Sequence, residues 1–227
     1  MSHQLSSIDH RRNISAVIFD CDGVMFDSRQ ANINFYNHLL ARYDLPPMSE
    51  EQMDYVHMNT AEKSVRYVFE GTPFTEEAQT YRLQMDYTPF IKDMVIEPGL
   101  KELLEHLRPR VGLAVATNRS NTIGDVLDQN SLSGFFDIVI SSLDVENPKP
   151  HPESIHKILD FFNLNPNQAV YIGDSPIDLE TAEAAGVHFI AYGNGKLRAP
   201  LKAASMADVE KVLAEIELQP TRRHKEK

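Results

Sequence analysis

Two aspartates one residue apart, Asp20 and Asp22, close an almost unbroken apolar run over residues 14–19 and are followed at once by Gly23. Such a run reads as a buried parallel strand that delivers its carboxylates at its carboxyl end. That is the end at which open α/β sheets bind ligands. Strand alternation puts Asp20 and Asp22 on one face and Cys21 on the other. Two anions this close repel each other, and burial sharpens the repulsion, so the pair suggests a metal site or a shared proton. Further polar residues sit at the ends of later apolar runs: Thr117-Asn118, Lys149 in Asn147-Pro148-Lys149-Pro150, and Asp174 with Asp178 in Gly173-Asp174-Ser175-Pro176-Ile177-Asp178. All can converge on one crevice. Grouped carboxylates favour a hard cation such as Mg²⁺. A hydroxyl, backbone N–H groups and a lysine are what a phosphoryl group needs.

The elements that must position these residues follow from periodicity. Strands are expected over residues 14–20, 111–117, 135–141, 169–174 and 187–192. Helices are expected from Ser120, as cap, to about 130, over 152–162, over 176–185 with Gly186 as the stop, and over 206–218. Strands alternating with helices give an α/β parallel sheet. Residues 28–96 interrupt the alternation with no strand pattern; helices are expected at 32–43, 49–58, 60–69 and 75–90, punctuated by Gly71, Pro73 and Pro89. The expected organisation is a discontinuous sheet core, 1–27 and 97–227, with a helical insert over 28–96. The joining crossings fall near 26–28 and 94–98.

The 227 residues suffice for a core and a second small domain. A formal net charge of -11 argues against a nucleic-acid partner held through phosphate contacts. The single cysteine allows no internal disulfide. The polar residues 1–13 lack the apolar segment of a secretory signal, and no stretch approaches the ~20 apolar residues that span a bilayer. A cytoplasmic protein without membrane contact, monomer or homodimer, is the expectation, with residues 221–227 as a disordered tail.

Taken together, Asp20-x-Asp22-Gly23, Thr117-Asn118, the proline-flanked Lys149 and Gly173-Asp174-x-x-x-Asp178 resemble, in order, the four motifs of the haloacid dehalogenase-like (HAD) superfamily. The insert sits where that family carries an all-helical C1-type cap after the first strand of a Rossmann-like core. The resemblance covers about residues 13–218 and points to the phosphoglycolate phosphatase and β-phosphoglucomutase branch. It implies that Asp20 is a nucleophile forming an aspartyl-phosphate, and that Asp22 is the acid and then the base. It implies that Thr117 and the Asn118 backbone hold phosphate oxygens, with Lys149 offsetting charge. Mg²⁺ would be bound by Asp20, the Asp22 backbone carbonyl and Asp174, with Asp178 supporting the ion from outside its ligands. Gly23, expected to contribute to substrate binding, lets the chain turn tightly just beyond the nucleophile.

For substrate the resemblance implies a small phosphorylated metabolite, with specificity carried by the insert. There the signal is weaker. Lys63 and Arg66, one turn apart, either bind a second anionic group or pair with Glu62 and Glu70 on a solvated face. His57 and Asn59 lie in an inter-helix loop that can face the site. Asp27 and Ser28 either cap a helix or touch substrate, Ser175 either touches the metal site or caps its helix, and Cys21 is read as packed core. The reading is a Mg²⁺-dependent phosphatase; the alternatives are a β-phosphoglucomutase-like sugar phosphomutase and, outside enzymes, a phospho-acceptor signalling module. Dehalogenase chemistry does not use the acid at Asp22, and phosphonatase relatives usually carry alanine there.

Overall fold

The computed structural model describes residues 14–193 and 195–216. The tail expected at 221–227 and the polar start lie outside the described residues. In chain order the elements are β1 (Ala16–Phe19), β2 (Phe26–Asp27), α1 (Arg29–Ala41), α2 (Glu50–Met58), α3 (Ala61–Val68), α4 (Thr75–Gln84), α5 (Thr88–Ile91) and β3 (Val95–Ile96). There follow α6 (Leu100–Leu107), β4 (Gly112–Ala116), α7 (Ile123–Gln129), β5 (Ile138–Ile140), α8 (Glu153–Phe162), β6 (Ala169–Gly173), α9 (Pro176–Ala185), β7 (His188–Tyr192), β8 (Leu201–Ala203) and α10 (Met206–Ala214).

Six strands form one parallel sheet in the order β5-β4-β1-β6-β7-β8. β1 lies in its interior, paired to β4 and β6 on its two sides, which explains why its four residues are apolar without alternation. Its side chains still divide between two layers. Ala16 and Ile18 pack with Ile155, Ile158 and Phe162 of α8 and Ala182 of α9. Val17 and Phe19 belong to the cluster of Leu104 on α6, Val126 on α7 and Val209 on α10. The sheet is thus covered on both faces, and its carboxyl edge is free to hold polar groups.

The helix ends carry the signals that their sequences offer. Ser175 accepts from the Asp178 N–H while the Asp178 side chain accepts from the Ser175 N–H, Pro176 opens α9, and Gly186 closes it at φ 72°. Ser205 caps α10 through the Asp208 N–H, Ser49 and Gln52 form a capping box on α2, and Thr60 caps α3 through the Lys63 N–H.

The structure departs from the expected elements in six places. Residues 75–90 are two helices, α4 and α5, because Pro89 has no N–H to donate into a continuous helix and the Asp86 side chain accepts from the Thr88 N–H instead. Inside the insert's boundary, β3 pairs antiparallel with β2; two residues per strand are too few to show a period. α6 was not expected, although Leu100, Leu103, Leu104 and Leu107 form a regular buried stripe. β8 adds a short edge strand. α7 starts at Ile123 rather than at a Ser120 cap, and a 3₁₀ turn over Ser133–Phe135 delays β5 to Ile138.

The five helices α1 to α5 occupy the stretch between β2 and β3. Their interior is aromatic: Phe35 meets Tyr36, Tyr87 and Phe90 edge-on at centroid separations of 5.0, 5.2 and 5.6 Å. Val24, Met25 and Phe26 are fully buried and join this layer to the sheet core. Leu104→Ala, at the fully buried centre of α6, is expected to lower unfolding free energy by about 2–5 kcal/mol. Leu83→Ala, on the exposed side of α4, is expected to change it by less than about 0.5 kcal/mol. Chemical denaturation of both variants checks the contrast, and equal losses would contradict this placement of the core.

Candidate active site

Four strand ends meet at one edge of the sheet. Asp20 follows β1 directly, and its N–H is held by the Ile172 carbonyl at 2.9 Å. The chain then turns back on itself, with the N–H groups of Met25 and Phe26 donating to the Cys21 carbonyl at 3.0 and 3.1 Å. Gly23 makes that turn at φ 80°, and a Cβ there would fall 2.1 Å from Asp174 Oδ2. Both the dihedral and the space beside Asp174 therefore require glycine. Thr117 follows β4 with its N–H on the Ile140 carbonyl at 3.0 Å. Asn118 donates to the Lys149 carbonyl at 3.3 Å, tying the second motif to the third, while its buried Oδ1 has no partner.

Lys149 is the centre of the arrangement. Its Nζ lies 2.8 Å from Asp20 Oδ1, 2.7 Å from Asp178 Oδ1 and 2.8 Å from the Tyr171 hydroxyl. It accordingly uses all three of its donors. Burial works against its charge, but Asp178 and Asp20 more than offset that and push its pKa up. Asp178 is completely buried and also accepts from the Tyr171 hydroxyl at 2.7 Å and from the N–H and hydroxyl of Ser175 at 3.1 and 2.6 Å. Burial alone would raise its carboxyl; Lys149 and these donors hold it low. Its oxygens are saturated, so its work is to fix Lys149. Asp20 differs. Burial drives its carboxyl well up, Lys149 opposes, and the neighbouring charges of Asp178, Asp174 and Asp22 reinforce the rise.

Asp22 faces the same cavity with its carboxylate turned elsewhere. Its Oδ1 accepts from the Ser28 hydroxyl and from Arg119 at 2.7 Å (Nη2) and 3.2 Å (Nε). Burial would raise this carboxyl, but the Arg119 charge, its hydrogen bonds and Ser28 keep it below the usual range. Arg119 is itself buried. It lies over the Tyr87 ring at 5.1 Å and reaches Asn32 at 3.4 Å, both on the insert side.

Among the described residues, Asp20, Asp174 and Asp178 each offer an oxygen within 4.8 Å of the others. Hard carboxylate oxygens in a buried cluster suit a small divalent cation. With Asp178 saturated, Asp20 and Asp174 are the two side chains left to ligate. At Asp174, burial and then Asp178 push the carboxyl up to about 7. The donor set therefore fits a magnesium-type ion held by Asp20 and Asp174, with Asp178 behind them.

The cavity is lined by Asp20, Asp22, Thr117, Asn118, Lys149 and Asp174 from the core and by His57 and Asn59 from the insert. Lys63 and Arg66 are not brought there. Lys63 is exposed, and Arg66 pairs on the surface with Glu76 at 2.9 Å and Glu62 at 3.4 Å. Glu62 is the partner expected for a solvated face; Glu76 stands in the place expected of Glu70. Asn59 closes α2 by donating to the Tyr55 carbonyl at 3.0 Å. Ser175 acts as a helix cap, and Cys21 is fully buried, its thiol pushed up by burial. Three residues of the site were not anticipated: Arg119, Tyr171 and Arg82. For Tyr171 a signal existed, since a tyrosine inside a fully buried strand must find its hydroxyl a partner.

The family model described as haloacid dehalogenase-like hydrolase matches residues 17–192. A phosphoglycolate phosphatase of Pseudomonas putida is 29% identical over 202 residues, covering 83% of this chain and 73% of its own length. A solved structure from Geobacter sulfurreducens, described as a HAD-superfamily hydrolase of subfamily IA, has a TM-score of 0.78 at 39% identity, over 88% of this chain and 99% of that one. The β-phosphoglucomutase of Clostridium difficile, at 21% identity and a TM-score of 0.75 over 89% and 96% of the two chains, shares the fold.

A raised carboxyl favours the bound proton in the folded state, so Asp174 contributes stability at acid pH that is lost as pH rises through about 7 in metal-free protein. A cation must displace that proton. Added Mg²⁺ is therefore expected to raise the melting temperature more at about pH 8 than at about pH 5.5, by about 2–4 °C per kcal/mol of binding. Asp174→Asn should shrink the rise. A shift that ignores both pH and this substitution would contradict the assigned ion site.

Proposed function

The chain belongs to the haloacid dehalogenase-like hydrolases, and from that premise we propose that it is a Mg²⁺-dependent phosphatase acting on a small phosphorylated metabolite through an aspartyl-phosphate on Asp20. The observation that carries the reading is the buried contact of Lys149 with Asp20 in a cavity that also holds Asp22 and Thr117. A carboxylate nucleophile, a cation beside it and a second carboxyl group within one cavity are the parts phosphoryl transfer needs.

Asp20 forms a bond to phosphorus as the bond from phosphorus to the leaving oxygen breaks, and Asp22 gives that oxygen its proton. A water then attacks the same phosphorus, Asp22 takes its proton, and the bond from phosphorus to Asp20 breaks, releasing inorganic phosphate. Thr117 and the backbone beside Asn118 orient phosphoryl oxygens, and Lys149 screens the approach of an anion to an anionic site. When bound, Mg²⁺ supplies further screening of phosphoryl charge at Asp20 and Asp174. Uncatalysed hydrolysis of such esters is so slow that rate enhancements reach ~10²¹, so positioning and charge stabilisation supply most of the gain. Phe35, Tyr36, Val56 and Tyr87 wall the cavity on the insert side, which restricts it to small substrates and limits the entry of water.

The relatives support this reading, the Pseudomonas putida phosphoglycolate phosphatase being the natural guide to a first substrate. Phosphate release from a panel of small phosphomonoesters with Mg²⁺ tests it. Activity is expected on at least one, abolished by Asp20→Asn and by chelation, and lowered about 10²–10⁴-fold by Asp22→Asn. Sugar phosphate isomerised without release of phosphate would favour a phosphomutase instead. A stable phosphoprotein after one turnover would favour a phospho-acceptor module.

A further inference from the structure

Three cationic side chains line the cavity: Lys149, Arg119 and Arg82. The first two are matched by carboxylates, Lys149 by Asp20 and Asp178 and Arg119 by Asp22. Arg82, on α4 of the insert, has no carboxylate within ion-pair distance among the described residues. Glu62 acts on it only at longer range and is itself held by Arg66 at 3.4 Å. Partial burial pushes the Arg82 guanidinium pKa down. A desolvated, unmatched charge costs stability, and an anion entering the cavity would return that cost.

The guanidinium is also held in place. Gln79 is buried and donates its Nε2 to the Glu62 carbonyl at 2.7 Å, which leaves its Oε1 to accept from Arg82 Nε at 2.6 Å. A carbonyl only accepts, so the amide cannot turn over without losing both bonds. Gln79 thus occupies Nε and leaves both Nη groups of Arg82 available. A second sign of an absent ligand lies on the same wall, where His57 Nδ1 is buried without a partner.

We propose that Arg82 is the specificity residue of the insert and that it receives a carboxylate carried by the substrate beyond its phosphoryl group. The assignment rests on the phosphatase reading for what occupies the core side of the cavity, since Thr117, Lys149 and Asp20 take the phosphoryl end. A carboxylate fits better than a second phosphate. The planar fork of arginine matches its two oxygens, and one guanidinium balances one negative charge, whereas a phosphate brings about 1.5 to 2. The substrate class is therefore a short phosphorylated carboxylic acid, of which phosphoglycolate is the smallest simple case.

Two measurements test this. The first is the ratio of kcat/KM for phosphoglycolate to that for ethyl phosphate, which has no carboxylate, in wild type, Arg82→Gln and Arg82→Lys. The ratio is expected to fall about tenfold to a hundredfold in Arg82→Gln and less in Arg82→Lys, which keeps the charge and loses the fork. An unchanged ratio, or equal losses on both substrates, overturns the assignment. The second uses calorimetry in an Asp20→Asn background with Mg²⁺, where binding is read without turnover. Phosphoglycolate should bind more tightly than ethyl phosphate, with the gap closing when Arg82→Gln is added. No gap overturns the role of Arg82, and tighter binding of propane-1,3-diol bisphosphate than of phosphoglycolate, lost with Arg82→Gln, overturns the choice of carboxylate. A persistent gap in a protein that hydrolyses no phosphomonoester would defeat the phosphatase reading and uphold Arg82.

Discussion

Repulsion among buried carboxylates is the constraint around which this molecule is arranged. Asp20, Asp22, Asp174 and Asp178 converge on one end of the sheet, and among the described residues two buried cations, Lys149 and Arg119, stand directly against them. The compensation is uneven. Asp22 and Asp178 hold their partners tightly and are kept ionised, whereas Asp20 and Asp174 are driven upward. Asp20 and Asp174 offer hard oxygens close enough together to ligate one divalent ion. An assembly of this kind is unfavourable unless something positive enters it, and the stability of the rest of the fold must carry it until then.

The sheet makes such a cluster tolerable because β1 lies in its interior. Its neighbours β4 and β6 hold it in parallel register, so the residues that follow all three strands arrive at the same level. Two apolar layers cover the faces, and the polar edge is confined to the loops after the strands. Within that edge each acid is placed by a local device. Asp178 is set by the first turn of α9, Asp174 rests against the missing side chain of Gly23, and Asp20 is anchored through its own N–H. Tyr171, inside β6, carries the network back into the core by joining Lys149 to Asp178. Buried polar networks of this type hold their geometry only when every member has its partner.

Much of this could be read from the chain because strand-end chemistry is local. Asp20, Thr117, Lys149 and Asp174 each close or follow an apolar run, and a parallel sheet brings such ends together without further information. What sequence reasoning could not supply depends on which neighbour a long side chain chooses. Lys63 and Arg66 sit on a helix with acids within reach, and Arg66 is captured by Glu62 and Glu76 on the surface. Arg82 sits on a helix of similar composition, yet Gln79 holds it toward the cavity. No spacing rule separates the two cases, because the difference lies in the packing of α3 on α4. Arg119 follows the Thr-Asn pair directly and was overlooked since its partner Asp22 lies 97 residues away. The break at Pro89 and the leucine stripe of α6, by contrast, are local signals that the sequence itself carries.

The pairing of Asp22 with Arg119 bears on how the proposed reaction can proceed. As a base Asp22 must be ionised, and Arg119 favours that form. As an acid it must carry a proton, and Arg119 opposes it. Both roles cannot be served by one fixed contact, so the contact has to open between them. The structure shows what is attached to it. Arg119 touches Asn32 on α1 and lies over Tyr87 beside α5, and Ser28, the other partner of Asp22, stands at the N-terminal end of α1. All three belong to the segment between β2 and β3, two-residue strands that pair with each other in a small sheet of their own. Movement of the insert over the cavity would therefore alter the surroundings of Arg119 and Ser28 together, while Lys149, held by three bonds within the core, would stay on Asp20. In the proposed reaction, the groups that hold Asp22 thus reach into the helical segment, whereas those that hold Asp20 stay within the core.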